Sequence, residues 1–256
     1  MGRVHLCEIE DQKWFPTFLR NYSTDFLQFL SNKTKLFKGI LPIIEKGLRN
    51  SQTTQIIDLC SGGGGGLLWL NTELKKSNPE LKIILTDYFP NISAFKYMEK
   101  QAPNFTFVNE AIDARNIPEN LKGLRTLFLS FHHFNPEDAK RILQNAVDSG
   151  SSIAIFEAQE RSIPSLLAMF FSPMTVLLTT PFIRPFKFGR IIFTYLIPII
   201  PIVTWWDGIV SSLRTYSVNE MKEMVEGLIN KDTFEWEIGK VRSGPGVNLY
   251  LLGTKI

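Results

Sequence analysis

The segment that decides the fold is Gln55–Leu68, which reads QIIDLCSGGGGGLL. The apolar residues of a short strand and an acid, Asp58, precede five consecutive glycines. A glycine in the middle of a helix or strand costs roughly 0.5–1 kcal/mol relative to alanine, so five in a row need a compensating role. A glycine loop between a strand and a helix brings backbone N–H groups close to a ligand, where a β-carbon would clash. The pattern therefore predicts a nucleotide-like ligand at this loop.

From residue 51 onward, short apolar runs alternate with helical patterns. Such alternation gives right-handed crossovers and a parallel sheet with helices on both faces. We therefore expect an α/β fold of the Rossmann-like, three-layer sandwich type. The five predicted strands of this part are Gln55–Cys60, Lys82–Asp87, Phe105–Asn109, Arg125–Ser130 and Ser152–Glu157.

The C-terminal part follows a different order. Ser217–Ile229 predicts a helix whose first residues form a capping box. Phe234–Val241 and Val247–Thr254 predict two strands. Their short connection, Arg242–Gly246, contains glycine and proline and implies an antiparallel hairpin. The expected sheet thus has seven strands, is mostly parallel and ends in a C-terminal antiparallel hairpin.

Three regions follow from these patterns. Apolar spacing of three and four residues over 12–48 predicts two N-terminal helices, the second from about Lys33 to Leu48. We therefore expect an N-terminal helical cap at 1–50 and a Rossmann-like core at 51–160 and 207–256. Residues 161–206 form an apolar helical insert between the two parts of the core.

The insert contains two runs without charge, Ser162–Ile183 and Ile191–Trp206. The first run approaches the length that spans a bilayer, but repeated prolines in both runs oppose a continuous transmembrane helix. Three interpretations of the insert remain open. The first is a lid that forms an apolar acceptor pocket, the second is a dimer contact, and the third is a membrane-interface element over 162–206. In the last case its basic residues would meet anionic headgroups, namely Arg184, Lys187 and Arg190.

Composition narrows the class of protein. The chain has 256 residues and a formal net charge of +3, without the concentrated basic stripe of a nucleic-acid-binding protein. Its two cysteines, Cys7 and Cys60, form no disulfide framework and no metal-binding spacing. Charges in the first residues argue against a secretion signal. We expect a cytoplasmic protein, free or peripheral to the membrane, without a bound metal and without a nucleic-acid partner.

The glycine loop distinguishes two cofactor classes. A dinucleotide fingerprint that starts at Gly62 requires its third glycine at position 67, which is Leu67. The segment Asp58–Gly64 instead fits D-x-G-x-G-x-G, with Cys60 as a small substitute for the first glycine. Here the chain resembles the class I S-adenosylmethionine-dependent methyltransferases of the small-molecule type. The resemblance covers about residues 51–160 and 207–256, including the terminal hairpin.

The resemblance implies a set of cofactor contacts. In that family an acid ending the second strand holds the ribose hydroxyls, and Asp87 occupies this position. An acid after the third strand reaches the adenine amine beside an apolar residue, a pattern matched by Asp113 and Ile112. The full implied set for S-adenosylmethionine, and for its product S-adenosylhomocysteine, is Asp58, Cys60, Gly62, Gly64, Asp87, Tyr88, Ile112, Asp113 and Ser130.

The acceptor side is less constrained by sequence. Small-molecule members often end the fourth strand with a run like Phe131–Phe134, so His132 and His133 are candidate pocket residues, either of which could act as general base. The family often has an acid early in the fourth strand, which Gly123–Leu127 lacks. Asp11 and Phe15 are candidates for lining a lid over the cofactor. Candidate acceptor contacts are Trp14, Tyr22, Trp206, Asp207 and Arg214. For the last three, a turn with a satisfied ion pair is an equal alternative.

These features predict a methyltransferase that transfers a methyl group to O, N or C of a small, hydrophobic or lipid-like acceptor. Nucleic-acid bases are disfavoured as acceptors, because the chain has neither a Pro-Pro-aromatic run after the fourth strand nor a Pro-Cys pair. A non-catalytic protein of the same fold that binds lipid or a partner is the main alternative. A nicotinamide reductase is disfavoured by Leu67 and by the predicted hairpin.

Overall fold

A computed structural model describes residues 2–244 and 246–256. Its centre is one seven-stranded sheet with the strand order β3-β2-β1-β4-β5-β7-β6. The strands are β1 (Gln55–Leu59), β2 (Lys82–Leu85), β3 (Phe105–Phe107), β4 (Leu124–Phe128), β5 (Ile153–Glu157), β6 (Phe234–Ser243) and β7 (Gly246–Lys255).

Strand directions confirm the predicted fold class. The first five strands pair in parallel, while β7 pairs antiparallel with both β5 and β6. The chain order reverses at β1, which lies between β2 and β4, so ligands are expected beyond the carboxyl ends of these strands. In the predicted hairpin connection, Pro245 lies outside the described residues.

Ten α-helices in the described residues surround the sheet. They are α1 (Thr17–Lys33), α2 (Leu41–Asn50), α3 (Leu67–Ser77), α4 (Ile92–Gln101), α5 (Pro136–Asp148), α6 (Ile163–Phe170), α7 (Ser172–Thr179), α8 (Phe188–Ile191), α9 (Ile199–Arg214) and α10 (Val218–Glu226). A π-helical turn, Ile192–Leu196, follows α8, and a 3₁₀ turn, Phe131–His133, follows β4.

Two helix boundaries differ from the sequence prediction. The predicted helix from Lys33 to Leu48 is shorter, because Lys35 takes a left-handed φ of 53° and α2 begins only at Leu41, with Pro42 in its first turn. The alternative of a turn near residue 207 is wrong, because α9 continues to Arg214. Gly208 lets α9 pack closely against α6, as a β-carbon at this position would lie 3.0 Å from Met169 Sδ.

The core lies on both faces of the sheet because successive side chains of a strand point to opposite sides. Ile57 and its neighbours pack with α5 and α10, while Ile56 packs on the other face with α2, α3 and α4. This arrangement gives the expected three layers.

The insert packs against α1 rather than against the sheet. Phe26 of α1 is buried with Val176, Ile183 and Ile200, all of which come from the insert. A smaller cluster joins Phe15 and Leu19 to Val203 of α9. These contacts leave space between α1, the insert and the ends of the strands, where the cavities described next are found.

Candidate active site

The glycine loop connects β1 to α3 and lies close to the N-terminal helices. Gly62 has a left-handed φ of 53°. A β-carbon on Gly63 would lie 3.0 Å from Thr24 O, and one on Gly66 would lie 2.6 Å from Phe37 Cδ2. Part of the glycine run is therefore explained by packing against α1 and the turn after it, in addition to any ligand.

A cavity of about 260 Å³, which we call the loop cavity, opens above the glycine loop. It lies at the carboxyl ends of β1, β2 and β4, where the topology predicts a ligand. Predicted site residues that line it are Asp11, Cys60, Gly62, Asp87, Ser130 and His133.

Asp87 joins the end of β2 to the glycine loop. Its two carboxylate oxygens accept hydrogen bonds from the backbone N–H groups of Gly62 and Phe89, each at 2.8 Å. Burial raises the pKa of Asp87, while these hydrogen bonds act in the opposite direction. Each oxygen has a second lone pair, and Asp87 lines the loop cavity, so the carboxylate can still accept hydrogen bonds from a ligand.

Two further polar groups of the loop cavity have no hydrogen-bond partner within the described part of the chain. They are Ser130 Oγ and Asn91 Nδ2, both buried. Buried polar atoms are costly when unpaired. Their presence beside Asp87 indicates a cavity built for a polar ligand.

Five residues of the implied cofactor set lie away from the lining of this cavity, so their roles stay predictions. Asp58 lies beneath the loop, where Thr126 Oγ1 donates to it at 2.7 Å and burial raises its pKa to about 7. Asp113 forms an ion pair with Arg115 at 2.8 Å, which lowers the pKa of Asp113. The others are Gly64, which packs against Met98, Tyr88, which is 51% exposed, and Ile112, which is buried in the core.

A second cavity of about 330 Å³, which we call the inner cavity, lies between α1, the insert and the end of β4. Its wall is mainly apolar and includes Phe26, Leu30 and Val203. The two cavities are adjacent, since Glu10, Leu27, Leu129 and His133 line both. A ligand in one cavity can therefore reach a ligand in the other.

His132 is held firmly at the wall of the inner cavity. Its Nδ1 lies 2.9 Å from Glu157 Oε2, and its backbone N–H donates to Glu157 Oε1 at 3.0 Å. Gln159 Nε2 lies 3.1 Å from the same Nδ1. The other ring nitrogen, Nε2, has no hydrogen-bond partner among the described residues. That nitrogen lies 3.7 Å from Glu8 Oε1, so the imidazole is oriented by Glu157 on one side and has a second buried acid near its other nitrogen.

His133 lies in a different electrostatic setting. Its Nδ1 lies 2.9 Å from Asp11 Oδ1 and 3.4 Å from Glu8 Oε2. Burial on its own would lower the pKa of His133, but the carboxylates of Glu8, Asp11 and Glu10 together raise it to about 10. His133 is therefore an imidazolium at neutral pH and is unsuited to accept a proton there.

Residues 3–11, which we call the N-terminal strap, cross the wall between the cavities and the end of α9. Asp207 accepts hydrogen bonds from the backbone N–H groups of Ile9, at 2.6 Å, and Glu10, at 3.1 Å. Arg214 Nη1 lies 3.0 Å from Glu8 Oε1 and 2.8 Å from Asp11 Oδ2.

These contacts correct the predicted acceptor set. Arg214 holds the strap, and Trp206 Nε1 donates to Cys7 O at 2.9 Å, so neither side chain faces the inner cavity. Asp207 anchors the strap and also lines that cavity. Trp14 lies on the surface, 72% exposed, and Tyr22 packs against Phe18. Of the five predicted acceptor contacts, the structure thus brings Asp207 alone to the cavity wall.

Several solved methyltransferase structures resemble this chain. PigF with S-adenosylhomocysteine matches with a TM-score of 0.50 and 18% identity over 96% of this chain and 63% of that one. Human N-acetylserotonin methyltransferase in complex with S-adenosylmethionine matches with a TM-score of 0.50 and 13% identity, over 91% of this chain and 56% of that one. The methyltransferase domain of bacterial CtHen1 matches at 10% identity, with a TM-score of 0.50, over 86% of this chain and 99% of that one.

The chain has the class I methyltransferase fold. It spans less than two thirds of PigF and of the human enzyme. No protein-family model and no curated protein sequence matches it. The structural likeness shows the methyltransferase fold alone, and the activity has to be argued from the site.

Two acids of the strap were missed by sequence reasoning. Glu8 is fully buried, and Glu10 lines both the loop cavity and the inner cavity. Burial, together with the nearby acids Glu8 and Asp207, raises the pKa of Glu10 to about 8, although the His133 charge opposes this. The segment Glu8–Asp11 contains three acids, and no periodicity in the sequence tells which of them face inward.

Ligand atoms of Glu8, His132 and His133 lie within 4.8 Å of one another, which is close enough to consider a cation site. The cluster is better explained by ion pairing. The Arg214 guanidinium already lies 3.0 Å from Glu8 Oε1, and the raised pKa of His133 keeps that imidazole protonated. A metal ligand must be deprotonated, and two neighbouring cations repel a third.

Proposed function

We propose that the chain is an S-adenosylmethionine-dependent methyltransferase that methylates O, N or C of a small, hydrophobic acceptor. The observation that carries this proposal is the pair of adjoining cavities. One has polar, partly unpaired groups beside the glycine loop, and the other has an apolar wall. They share the lining residues Glu10, Leu27, Leu129 and His133, which supports methyl transfer at this junction.

The loop cavity fits S-adenosylmethionine, which would supply a methyl group on a sulfonium centre. The Asp87 carboxylate would accept hydrogen bonds from the ribose hydroxyls. The backbone N–H of Gly62 donates to this carboxylate and fixes its position. Ser130 Oγ and Asn91 Nδ2 offer the remaining unpaired polar atoms. Two solved neighbours of the same fold bind this cofactor or its product, which supports the proposal.

His132 is the residue we assign to proton transfer. Its Nε2 can accept the proton of an acceptor hydroxyl or amine in the inner cavity, and Glu157 stabilises the resulting imidazolium through Nδ1–H. His133 keeps its proton and so cannot take this role. Two cavities that hold both reactants in contact also supply positioning, which accounts for a large part of the rate in a displacement of this kind.

The apolar wall of the inner cavity favours a hydrophobic acceptor. Phe26, Leu27, Leu30, Met169 and Val203 contribute carbon surface, while Gln159, Asp207 and His132 contribute a few polar groups that fix orientation. The human neighbour is named for N-acetylserotonin, a small molecule, which agrees with this class of acceptor.

The test is transfer of a labelled methyl group from S-adenosylmethionine to a panel of hydrophobic phenols and amines. We expect turnover with at least one member for the wild type, and a large loss for His132→Asn. A variant with the equally small change His5→Asn serves as the matched control and keeps its activity. If no member is methylated although S-adenosylhomocysteine binds, the non-catalytic alternative replaces the proposal.

A further inference from the structure

The outer surface of the insert is apolar, although the rest of the molecule has an ordinary surface. Among the described residues, 13 of the 22 large hydrophobic side chains that are exposed lie between 163 and 202. That segment is about a sixth of the chain, so the clustering is not the scattered exposure usual for a folded protein. No acid occurs between Glu160 and Asp207.

The exposed side chains form stripes on the helices. On α6 they are spaced four and three apart, at Ile163, Leu167 and Phe170. On α7 and just before it they recur at Phe171, Met174 and Leu178. Spacing of three and four residues places each set on one side of its helix. An ordinary surface helix would present polar residues on this side.

The opposite sides of the same helices face protein. Val176 of α7 and Ile200 of α9 are buried against Phe26 of α1. In the described part of the chain no single helix is long and apolar enough to cross a membrane, while two bent helix pairs, 163–182 and 188–214, reach the required length and composition. One side of the insert thus packs on α1, and the other side is exposed.

A basic groove lies at one edge of this apolar surface. It is lined by Lys33, Arg184, Phe182 and Tyr97, together with the amides Gln28 and Asn32, and its volume is about 290 Å³. None of its lining residues is an acid in the described structure. Arg184 is held in place by donation to Pro181 O at 3.0 Å. An anionic group is therefore the complementary ligand of this groove.

The other two basic residues of the insert do not share this role. Lys187 and Arg190 both contact Asp25 Oδ2, at 2.7 and 2.8 Å, and Arg190 is buried. The expectation that all three cations meet headgroups is wrong for Arg190. Lys33, which lies on α1, replaces it as the second exposed cation beside Arg184.

We propose that the insert docks on the surface of an anionic phospholipid membrane, with the apolar stripes of α6 and α7 and the aromatic residues Phe182, Phe186 and Phe188 in the interface. The basic groove of Lys33 and Arg184 receives a lipid phosphate. This arrangement is that of an interfacial helical element, in which apolar burial and attraction to anionic lipids add together. It is independent of methyl transfer, because it uses neither cavity of the candidate active site.

Vesicle flotation tests the proposal with the full chain and no cofactor. The wild type is expected to float with vesicles of phosphatidylcholine and phosphatidylglycerol at low salt, and less at high salt. Phe182→Ser/Phe186→Ser/Phe188→Ser is expected to remain in the soluble fraction. The control Ile229→Ser/Ile256→Ser removes two apolar side chains that are 70% and 84% exposed elsewhere, and it is expected to float like the wild type.

Charge is tested separately. Lys33→Gln/Arg184→Gln is expected to weaken partitioning about 30-fold, from roughly fivefold for each basic residue near an anionic surface. The control Lys122→Gln/Lys222→Gln loses the same net charge at two exposed positions and is expected to bind normally. Circular dichroism of every variant shows that it is folded.

Three results would overturn the proposal. The wild type could fail to float with the anionic vesicles at low salt, or the controls could lose binding as much as the test variants. A light-scattering measurement could also show a dimer that only the triple phenylalanine variant dissociates, without any vesicle binding. That last outcome would assign the apolar surface to a second copy of the chain.

Discussion

His132 Nδ1 lies 2.9 Å from Glu157 Oε2, and the opposite ring nitrogen of His132 has no hydrogen-bond partner in the described structure. The acid on β5 thus orients an imidazole that follows β4, the neighbouring parallel strand. Both groups are buried, so water does not weaken their contact. This contact is the basis of our proposal that His132, rather than His133, acts as the general base at the inner cavity.

The pair predicts a specific kinetic result. Glu157→Gln keeps the size of the side chain but removes the charge that stabilises an imidazolium, and His132→Asn removes the base itself. We expect each to lower the rate of methyl transfer to a phenol by about 10²–10⁴, the usual range for a general base. Binding of S-adenosylhomocysteine is expected to be unchanged in both. A pair of variants that lost cofactor affinity in proportion to rate would show a structural role instead.

The charge of His133 predicts how stability depends on pH. Its pKa is raised from 6.5 to about 10 in the folded protein, so the folded state binds more protons between these values. Its contribution is fully present below pH 6.5 and is lost as the pH rises through 10, with a slope of at most about 1.4 kcal/mol per pH unit. The carboxylates of Glu8, Asp11 and Glu10 raise this pKa against the effect of burial.

Denaturant unfolding across that window checks this prediction. Because Glu10 titrates in the same range, both proteins carry Glu10→Gln, and one of them also carries His133→Gln. The unfolding free energy of the single variant should fall more steeply with pH than that of the double variant. Parallel slopes would mean that His133 is neutral in the folded state.

The N-terminal strap predicts a coupled loss of stability. Arg214→Gln leaves the buried Glu8 carboxylate without its guanidinium, and the loss of one partner of a buried pair costs about 3–5 kcal/mol. Glu8→Gln/Arg214→Gln removes both charges and should recover part of that loss. Thermal or denaturant unfolding of the two single variants and the double variant gives the coupling energy. Additive effects would show that the 3.0 Å contact does not stabilise the fold.

One glycine of the loop is expected to be required for packing rather than for a ligand. Gly66 has an ordinary negative φ, but a β-carbon there would lie 2.6 Å from the buried ring of Phe37. Gly66→Ala should therefore lower the unfolding free energy by about 1–3 kcal/mol, the usual cost of overpacking. In a Phe37→Leu background the same substitution should cost less, because the smaller side chain leaves room. Equal costs in the two backgrounds would contradict this explanation.

The sheet and the loop could be predicted from sequence because their signals are local. Ile56 and Ile57 are apolar since both faces of β1 are covered, and the glycines directly follow that run. The terminal hairpin was predictable for the same reason, from two strands and a short connection. Asp87 and the His132–His133 pair were found because they stand at strand ends, where parallel strands bring their residues together.

The strap could not be predicted, because its contacts join residues about 200 positions apart. Asp207 and Arg214 are predicted as acceptor contacts, with an ion pair as the alternative, but nothing in the neighbouring sequence indicates that their partners are Ile9, Glu8 and Asp11. Trp14 and Tyr22 are predicted as contacts because the N-terminal helices of the resembling family cover the cofactor, but their rings pack against the neighbouring Phe15 and Phe18. The partners of such residues depend on the tertiary fold, which the periodicity of the sequence does not reveal.

The most direct test of the proposed cofactor site is calorimetric titration of S-adenosylhomocysteine into the wild type, Asp87→Ala and the control Asp232→Ala. Asp87 lines the loop cavity and is hydrogen-bonded to the glycine loop, whereas Asp232 is an exposed acid near β6. We expect micromolar binding to the wild type and the control, and a loss of binding in Asp87→Ala. No binding to the folded wild type, or undiminished binding to Asp87→Ala, would contradict the proposed cofactor site.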